Sequence, residues 1–302
     1  MPRPILLVIV GPTAVGKTDT CVWLAKQLGA PVISADSRQF YREMHIGTAK
    51  PDPEELRGVP HYFLGHLSIE DSYSVGDFER EALAKLEELF QWHPMVIMTG
   101  GSGLFMKGVC KGMDDMPELA AGVREQLMEE FGQNGLTPLL RELEARDPEY
   151  YDQVDRANHA RVIRALEVIR SSGEPFSKFR SQAPKPRAFS SIAIGLDRPR
   201  EQLYERINLR VDRMMQAGLL EEVKGLAGYR HLNALQTVGY KEFFPYLDGH
   251  YYLDEAVRLL KRNTRRYAKK QLTWFKRDPD IAWFHPEERE QLWRYVREVV
   301  LK

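Results

Sequence analysis

The sequence contains little cysteine and no long hydrophobic run. Its two cysteines, Cys21 and Cys110, show no metal-ligand spacing, so we expect reduced thiols packed in a folded protein. No apolar run approaches the ~20 residues that a membrane helix needs, so we expect no membrane span. The chain passes from Met1-Pro2-Arg3-Pro4 directly into an apolar segment, and we therefore expect no secretory signal and a cytoplasmic location.

The sequence also lacks an excess of charge of either sign. It holds 43 lysines and arginines against 43 aspartates and glutamates, so the overall charge indicates no class of partner. Hydrophobic residues make up 43% of the chain and charged residues 28%, which fits a globular protein of one large or two modest domains. No segment shows a coiled-coil pattern, and we expect a monomer.

A phosphate-binding loop stands near the start of the chain. An apolar predicted strand leads into the pattern Gly-x4-Gly-Lys-Thr and then into a predicted helix. In such a loop backbone N–H groups point into one concavity, and the helix adds the positive end of its dipole. Lys17 supplies a cation for phosphate groups, and the Thr18 hydroxyl suits a magnesium ion. The loop consists of Gly11, Pro12, Thr13, Ala14, Val15, Gly16, Lys17 and Thr18.

The alternation of strands and helices predicts an α/β fold, a parallel sheet with helices on both faces. Short apolar strands are predicted at 5–10, 31–34, 95–99 and 191–196. Ligands of such sheets gather at the carboxyl ends of the strands. Asp36 and Ser102 each follow such an end, as the phosphate-binding loop does. We therefore expect three loops to meet over one pocket.

A helical insertion is predicted to interrupt this core. From about residue 113 to 186 buried strands are absent, and a linker is predicted at 182–187. Helices are predicted at 118–131, 138–146 and 157–172. We assign 1–112 together with 187–302 to the core and 113–186 to the insertion. Everything after Pro199 is predicted to be helical.

The most polarised segment is 258–277, near the end of the chain. It holds nine lysines and arginines and no acid, with Tyr267, Trp274 and Phe275 among them. Because nothing inside the segment compensates these charges, the pattern predicts an anionic partner, and nucleic acid is the natural candidate. The alternative is a solvated helix face whose apolar residues pack inward.

An ordered set of motifs resembles the tRNA dimethylallyltransferases. The motifs are Gly11-Pro12-Thr13-Ala14-x-Gly16-Lys17-Thr18, Asp36-Ser37, Ile46-Gly47-Thr48-Ala49-Lys50-Pro51, Gly100-Gly101-Ser102-x-Leu104, Arg161-x-x-Arg164-Ala165-Leu166, Leu203-x-x-Arg206-Ile207-x-x-Arg210-Val211, Val238-Gly239-Tyr240-Lys241-Glu242 and Lys269-Lys270-Gln271-Leu272-Thr273-Trp274. The resemblance implies transfer of a dimethylallyl group from dimethylallyl diphosphate to N6 of the tRNA adenosine that follows the anticodon. It also implies that the loop binds a diphosphate with Mg²⁺, and that the insertion grips the anticodon stem-loop.

The resemblance implies roles for individual residues. Asp36 is the implied general base, since the adenine amine loses a proton as the N–C bond forms. Lys17, a magnesium ion on Thr18, and Arg210 are implied to stabilise the leaving diphosphate, with help from the hydroxyl of Ser102. The implied tRNA contacts are Asp36, Ser37, Arg38, Gln39, Ser102, Arg124, Ala160, Arg161, Val162, Ile163 and Arg164.

The residues by themselves leave alternatives open. Asp36 is also suited to a helix cap or a magnesium ligand, and Arg210 to a surface ion pair with Asp212 or Glu205. A nucleotide or nucleoside kinase has the same loop, but the strand 95–99 here lacks the acid that commonly binds magnesium in such enzymes. A non-catalytic RNA-binding protein would leave the loop unexplained.

Three positions depart from the family pattern. Ala160 stands where a glutamine is usual, which removes one polar contact from the implied tRNA site, and Phe105 replaces a common tyrosine. Ser102 stands where a threonine is usual, which keeps the hydroxyl. None of these changes removes an implied catalytic group.

Overall fold

A parallel sheet is the centre of the computed structural model, which describes residues 3–180 and 183–300. Its strands are β1 (Ile5–Val10), β2 (Val32–Ser34), β3 (His61–Tyr62), β4 (Met95–Thr99), β5 (Ser190–Leu196) and β6 (Ala282–Phe284). They lie in the order β3-β2-β4-β1-β5-β6, and every neighbouring pair is parallel. The carboxyl ends of all six strands therefore share one edge, as predicted. Met1 and Pro2, and Gln182 of the predicted linker, lie outside the described residues.

Helices connect these strands and make up most of the remaining regular structure. In the core they are α1 (Lys17–Leu28), α2 (Pro53–Leu56), α3 (Val75–Leu89), α4 (Gly103–Lys111), α9 (Arg200–Gln216), α10 (Leu219–Leu226), α11 (Phe244–Leu247), α12 (Leu253–Phe275) and α13 (Arg289–Tyr295), and between them lie α5 (Val123–Asn134), α6 (Thr137–Arg146), α7 (Pro148–Gln153) and α8 (His159–Ser172). None of the helices described here is long and apolar enough to cross a membrane.

Strand β1 is buried on both faces, which explains its unbroken apolar sequence. Leu7 and Ile9 pack into one hydrophobic cluster with helix α1, whereas Leu6, Val8 and Val10 pack into a second cluster with helix α3. A strand covered by helices on both faces carries apolar residues at every position. The phosphate-binding loop follows directly after this buried strand.

Local signals explain where the helices begin and end. Ser74 caps α3, because its hydroxyl accepts the Asp77 N–H while the Asp77 carboxylate accepts the Ser74 N–H. Helix α1 ends at Gly29, which has the left-handed conformation favoured there. The predicted helix at 118–131 is displaced and runs over 123–134. The prediction that everything after Pro199 is helical is wrong, because the short strand β6 pairs with β5.

The chain forms two compact units. One comprises the residues up to Lys111 together with those from Pro186 onward, and the other comprises 112–185. The second unit has a hydrophobic core of its own, to which Leu127, Leu143 and Leu166 belong.

The segment Ile46–Pro51 is held by one carboxylate, that of Glu222 on α10. Its oxygens accept the N–H groups of His45 (3.1 Å), Ile46 (2.8 Å) and Gly47 (2.9 Å). The Tyr240 hydroxyl donates a fourth hydrogen bond to Glu222, at 2.6 Å. A side chain at Gly47 would overlap the Tyr240 ring, since an added Cβ would lie 2.5 Å from it. The motif therefore marks close packing around a half-buried acceptor that receives four hydrogen bonds.

We predict that Glu222→Gln lowers the free energy of unfolding by about 1–3 kcal/mol, because its amide NH2 would face backbone donors that have lost their acceptor. Urea denaturation measures this change. The neighbouring exposed Glu221, which lies 4.0 Å from Lys224, provides the control variant Glu221→Gln. Equal stability of the two variants would contradict the anchoring role.

Candidate active site

Three loops converge at the carboxyl edge of the sheet, as the sequence predicts. The loop after β2 carries Asp36 and Ser37, and the loop after β4 carries Ser102. The Ser37 N–H donates to Ser102 Oγ at 3.1 Å, and the two serine hydroxyls lie 3.0 Å apart. Asp36 Oδ1 accepts the Arg38 N–H at 3.1 Å, which orients the carboxylate. These contacts place Asp36 and Ser102 side by side.

Lys17 holds the first carbonyl groups of the phosphate-binding loop. Its Nζ donates to the carbonyl oxygens of Gly11 (3.0 Å) and Pro12 (2.9 Å). Burial lowers the pKa of Lys17 to about 8, while nearby Asp36 raises it and Arg210 lowers it further. Lys17 has no acid within ion-pair distance among the described residues. Its charge is therefore available to an anion.

Two arginines hold the next carbonyl groups of the loop. Arg206 Nε donates to the Ala14 carbonyl oxygen at 2.8 Å. Arg198 Nε donates to the Val15 carbonyl oxygen at 2.9 Å. Burial lowers the pKa of Arg206, with a further decrease from Arg198 nearby. Cations thus occupy the carbonyl side of the loop.

The fixed Val15 carbonyl group determines where the Gly16 N–H points. In a planar trans peptide, the C=O of one residue and the N–H of the next point in opposite directions. Fixing the Val15 carbonyl therefore turns the Gly16 N–H away from Arg198. Ala14 has the left-handed conformation, with a φ of 65°, that such anion-binding turns use. Among the described residues, no protein acceptor pairs with the N–H groups of Ala14, Gly16, Lys17 and Thr18.

Arg210 approaches the same loop from α9. Its Nη1 lies 3.5 Å from Thr13 Oγ1, at the long end of hydrogen-bond distances. Burial lowers the pKa of Arg210, and Arg206 contributes to the decrease. The suggested ion pair with Asp212 or Glu205 is absent from the described residues, where Asp212 instead pairs with Lys261 at 2.6 Å. Arg210 is thus a second cation without an acidic partner beside the loop.

Gln271 on α12 connects two of the three loops. Its Oε1 accepts the Thr13 N–H at 2.8 Å, and its Nε2 donates to the Gly101 carbonyl oxygen at 2.9 Å. The side chain is 5% exposed. Gly101 permits this approach, because an added Cβ would lie 2.4 Å from Gln271 Nε2 and 3.2 Å from Asp36 Oδ2. Both polar ends of Gln271 are satisfied at the centre of the site.

The basic charges of segment 258–277, which comprises most of α12 and the two residues after it, are partly compensated by acids outside the segment. Arg258 pairs with Glu255, Lys261 with Asp212 and Lys276 with Asp197, and two of these three acids come from other elements. Exposed cations that lack an ion pair among the described residues are Arg266, Lys269, Lys270 and Arg277. Tyr267 and Trp274 are about two-fifths exposed beside them, at 39% and 40%. A smaller basic and aromatic surface remains.

The predicted tRNA contacts of the core have structural partners. Arg38 Nη1 donates to the Asn233 carbonyl oxygen at 3.0 Å. Gln39 Nε2 donates to the carbonyl oxygens of Thr48 (3.2 Å) and Ala49 (3.1 Å). These two side chains therefore brace the loop that carries Asp36.

The predicted tRNA contacts of the second unit divide into buried and exposed residues. Val162 and Ile163 are 0% and 1% exposed, so their side chains pack in the core of this unit and are not available at its surface. Ala160 and Arg161 are exposed on α8. The buried carboxylate of Glu167 accepts hydrogen bonds from Arg124 (3.3 Å) and Arg164 (3.0 Å). This pairing holds the two guanidinium groups together.

The described residues contain no group of three or more His, Cys, Asp or Glu side chains suited to a metal ion. Burial raises the pKa of Cys21 to about 12, and that of Cys110 to about 11, which keeps both thiols protonated. A divalent ion at Thr18 would therefore depend on oxygen atoms that a bound ligand supplies.

Three residues of the site were given no role from the sequence, although Arg206 and Gln271 stand in the quoted motifs. Arg198 follows β5 at the carboxyl edge of the sheet, where such sheets bind their ligands. Its place just after a predicted strand could therefore have identified it. Arg206 lies one helical turn before Arg210, on the same face of α9. Gln271 could be identified from the sequence only as a member of the motif that ends in Thr273-Trp274.

Comparison with known proteins identifies the family. The family model for IPP transferases matches residues 39–278. The chain is 48% identical to tRNA dimethylallyltransferase 2 of Parabacteroides distasonis over 296 residues, which cover 98% of this chain and 99% of the relative. It is 51% identical to tRNA dimethylallyltransferase 1 of Porphyromonas gingivalis W83, with 93% and 94% covered.

Solved structures agree with this relationship. The full-length tRNA isopentenylpyrophosphate transferase of Bacillus halodurans is similar with a TM-score of 0.72 and 38% identity, covering 98% of this chain and 96% of that one. A eukaryotic dimethylallyltransferase, captured acting on tRNA, gives a TM-score of 0.80 and 25% identity, with 94% and 74% covered. The chain therefore belongs to the IPP transferase family, that of the tRNA dimethylallyltransferases.

Proposed function

We propose that this protein transfers the dimethylallyl group of dimethylallyl diphosphate to N6 of the tRNA adenosine that follows the anticodon, and releases diphosphate. Family membership supports the reaction class. The observation that carries the assignment of the site is the phosphate-binding loop, with Asp36 on one side and two cations, Lys17 and Arg210, that have no acidic partner in the described part of the chain.

The loop acts in this proposal as a clamp on the leaving group. Negative charge develops on the bridging oxygen of the diphosphate as its bond to the allylic carbon breaks. Free N–H groups of the loop, the Lys17 ammonium and the Arg210 guanidinium stabilise this charge. Because these donors are fixed before the reaction by their own contacts, little reorganisation accompanies bond cleavage.

Asp36 is the proposed base for the nucleophile. An adenine amine is a weak nucleophile, because its lone pair is delocalised into the ring. As the N6–C bond forms, one N6 proton passes to the Asp36 carboxylate and the diphosphate departs with the electrons of the C–O bond. The Arg38 N–H, 3.1 Å from Asp36 Oδ1, fixes the carboxylate for this step. The hydroxyl of Ser102, beside Ser37, offers a further hydrogen bond to the reacting groups.

A magnesium ion fits this site when a diphosphate is bound. The Thr18 hydroxyl stands at the start of α1, next to the free N–H groups of the loop. Mg²⁺ commonly combines few protein oxygens with substrate phosphate oxygens and water. Such an ion would supply positive charge for the departing diphosphate, and the Thr18 hydroxyl would hold it at the loop.

The tRNA requires contacts outside the reacting groups. The target base must leave its stack in the anticodon loop, at a cost of a few kcal/mol. Exposed cations on α12, with Tyr267 and Trp274 beside them, supply phosphate contacts and stacking surfaces. Arg161 on α8, and Arg124 and Arg164 held by Glu167, are the candidates in the second unit.

The proposed reaction is tested by incubating the protein with an anticodon stem-loop RNA and labelled donors. We expect label from dimethylallyl diphosphate, and none from γ-labelled ATP, in the RNA. Transfer from ATP alone would indicate a kinase, and binding of the RNA without transfer from either donor would indicate a non-catalytic RNA-binding protein.

We predict that Asp36→Asn lowers the single-turnover rate constant by about 10²–10⁴, the usual contribution of a general base. The amide keeps an oxygen for the Arg38 N–H, so we expect affinities for RNA and donor within about threefold of the parent. Quenched-flow transfer assays and filter binding measure the two quantities. A rate constant equal to that of the parent would remove Asp36 as the base.

We predict that affinity for dimethylallyl diphosphate decreases as the pH rises through about 8, because Lys17 then loses its proton in the free protein. Well above this pKa the decrease approaches about tenfold per pH unit. Calorimetric titration between neutral and alkaline pH measures it. Lys17→Arg is expected to abolish the decrease, since arginine stays protonated. A flat profile for the parent protein would contradict the assignment.

We predict that replacing Lys269 and Lys270 together by glutamine weakens stem-loop binding about threefold to tenfold. The slope of log affinity against log salt concentration should become shallower by about 1–2. Affinity for dimethylallyl diphosphate should not change. Arg258→Gln on the same helix is the control, because Arg258 is already paired with Glu255. Equal effects of the two replacements would contradict a specific RNA surface.

A further inference from the structure

Gln271 occupies one end of the phosphate-binding loop. Of the loop N–H groups described above, that of Thr13 is the one paired with a side chain, at 2.8 Å from Gln271 Oε1. Lys17 Nζ lies at the same end of the loop, on the carbonyl oxygens of Gly11 and Pro12. In phosphate-binding loops this lysine reaches the second and third phosphates of a triphosphate. The Thr13 end is therefore where a third phosphate group would need donors.

The Gln271 carboxamide occupies the space at this end that a further phosphate group would need. Gln271 covers the Thr13 N–H with a neutral oxygen, and its own NH2 is used by the Gly101 carbonyl at 2.9 Å. The carboxylate of Asp36 lies next to the same glycine, 3.2 Å from the position of an added Cβ. A phosphoryl group here would have to displace the carboxamide and would lie beside the Asp36 carboxylate, although Lys17 and Arg210 also border this end of the loop.

Gln271 cannot easily move aside to admit such a group. It is 5% exposed and bonded at both ends, and it lies on a helix of 23 residues. Trp274, one turn further along α12, also packs closely, since an added Cβ at Gly103 would overlap its ring nitrogen. The carboxamide is thus a rigid wall of the cradle.

We infer that Gln271 limits the cradle to two phosphate groups, and so makes the loop select a diphosphate over a triphosphate. This inference rests on the proposed function, in which the loop binds the diphosphate of the prenyl donor. The allylic carbon atoms of dimethylallyl diphosphate need no hydrogen bond. They would lie where a nucleoside triphosphate places its third phosphate group. Gln271 acts by excluding the third phosphate group and by holding the Thr13 peptide in place through its N–H.

The test compares inorganic diphosphate with inorganic tripolyphosphate as probes, by calorimetric titration of the full chain at fixed pH and Mg²⁺. We expect the parent protein to prefer diphosphate by at least about tenfold, because a site with unsuitable polar groups rejects a ligand by factors of this size or more. In Gln271→Ala, which frees the Thr13 N–H and opens space, we expect the preference to fall by about tenfold.

A second variant moves the preference in the other direction. Gln271→Glu keeps an acceptor for the Thr13 N–H but adds a negative charge, so we expect weaker tripolyphosphate binding and a larger preference for diphosphate. Thr273→Ala is the control on the same helix, since the exposed Thr273 hydroxyl donates only to the Lys269 carbonyl within its own helix.

The outcomes separate the inference from the proposed function. A structural role alone would weaken both probes equally, and an unchanged preference in both Gln271 variants would overturn the inference. Loss of diphosphate binding in Lys17→Met, with normal binding in Thr273→Ala, supports the loop as the diphosphate site. Diphosphate binding that survives Lys17→Met would instead overturn the proposed site, and the inference with it.

Discussion

The orientation of the peptide groups in the loop from Gly11 to Thr18 is the constraint on which the site depends. Carbonyl oxygens along this loop accept hydrogen bonds from Lys17, Arg206 and Arg198. Because peptide groups are planar, fixing the Val15 carbonyl turns the Gly16 N–H toward the opposite side. This N–H and those of Ala14, Lys17 and Thr18 have no acceptor among the described residues, and the cations Lys17 and Arg210 lie beside them. An anion that binds there encounters a preorganised positive field, and a neutral ligand gains little from it.

The same arrangement links leaving-group stabilisation to base catalysis. Lys17 and Arg210 have no acidic partner within residues 3–180 and 183–300, and burial lowers the pKa of each. Such cations are unfavourable in the free protein and become favourable when an anion compensates them. Asp36 lies near enough to raise the pKa of Lys17, yet its carboxylate is held by the Arg38 N–H and is free to accept a proton. Opposite charges thus remain separate in one pocket, each with its own role.

Local patterns predicted much of this structure, and contacts between distant residues account for the rest. The loop, the strand before it and the positions of Asp36 and Ser102 follow from short motifs and the strand-end rule. Gln271 could not be placed in this way, since it contacts Thr13 across 258 residues of sequence. Likewise, Asp197 and Asp212 compensate charges of α12 from other elements. Strand β6 has three residues, too few for a periodic signal.

The central claim is that the loop and its cations stabilise the departing diphosphate more than the bound donor. Arg210→Gln tests it most directly, in single-turnover transfer to an anticodon stem-loop at saturating donor. The account predicts that the rate constant falls by about a hundredfold or more, as for loss of a group that stabilises developing charge. It also predicts that the Kd of dimethylallyl diphosphate rises by less than about tenfold. An unchanged rate constant with a large loss of affinity would contradict the account, because Arg210 would then bind the donor without assisting its departure.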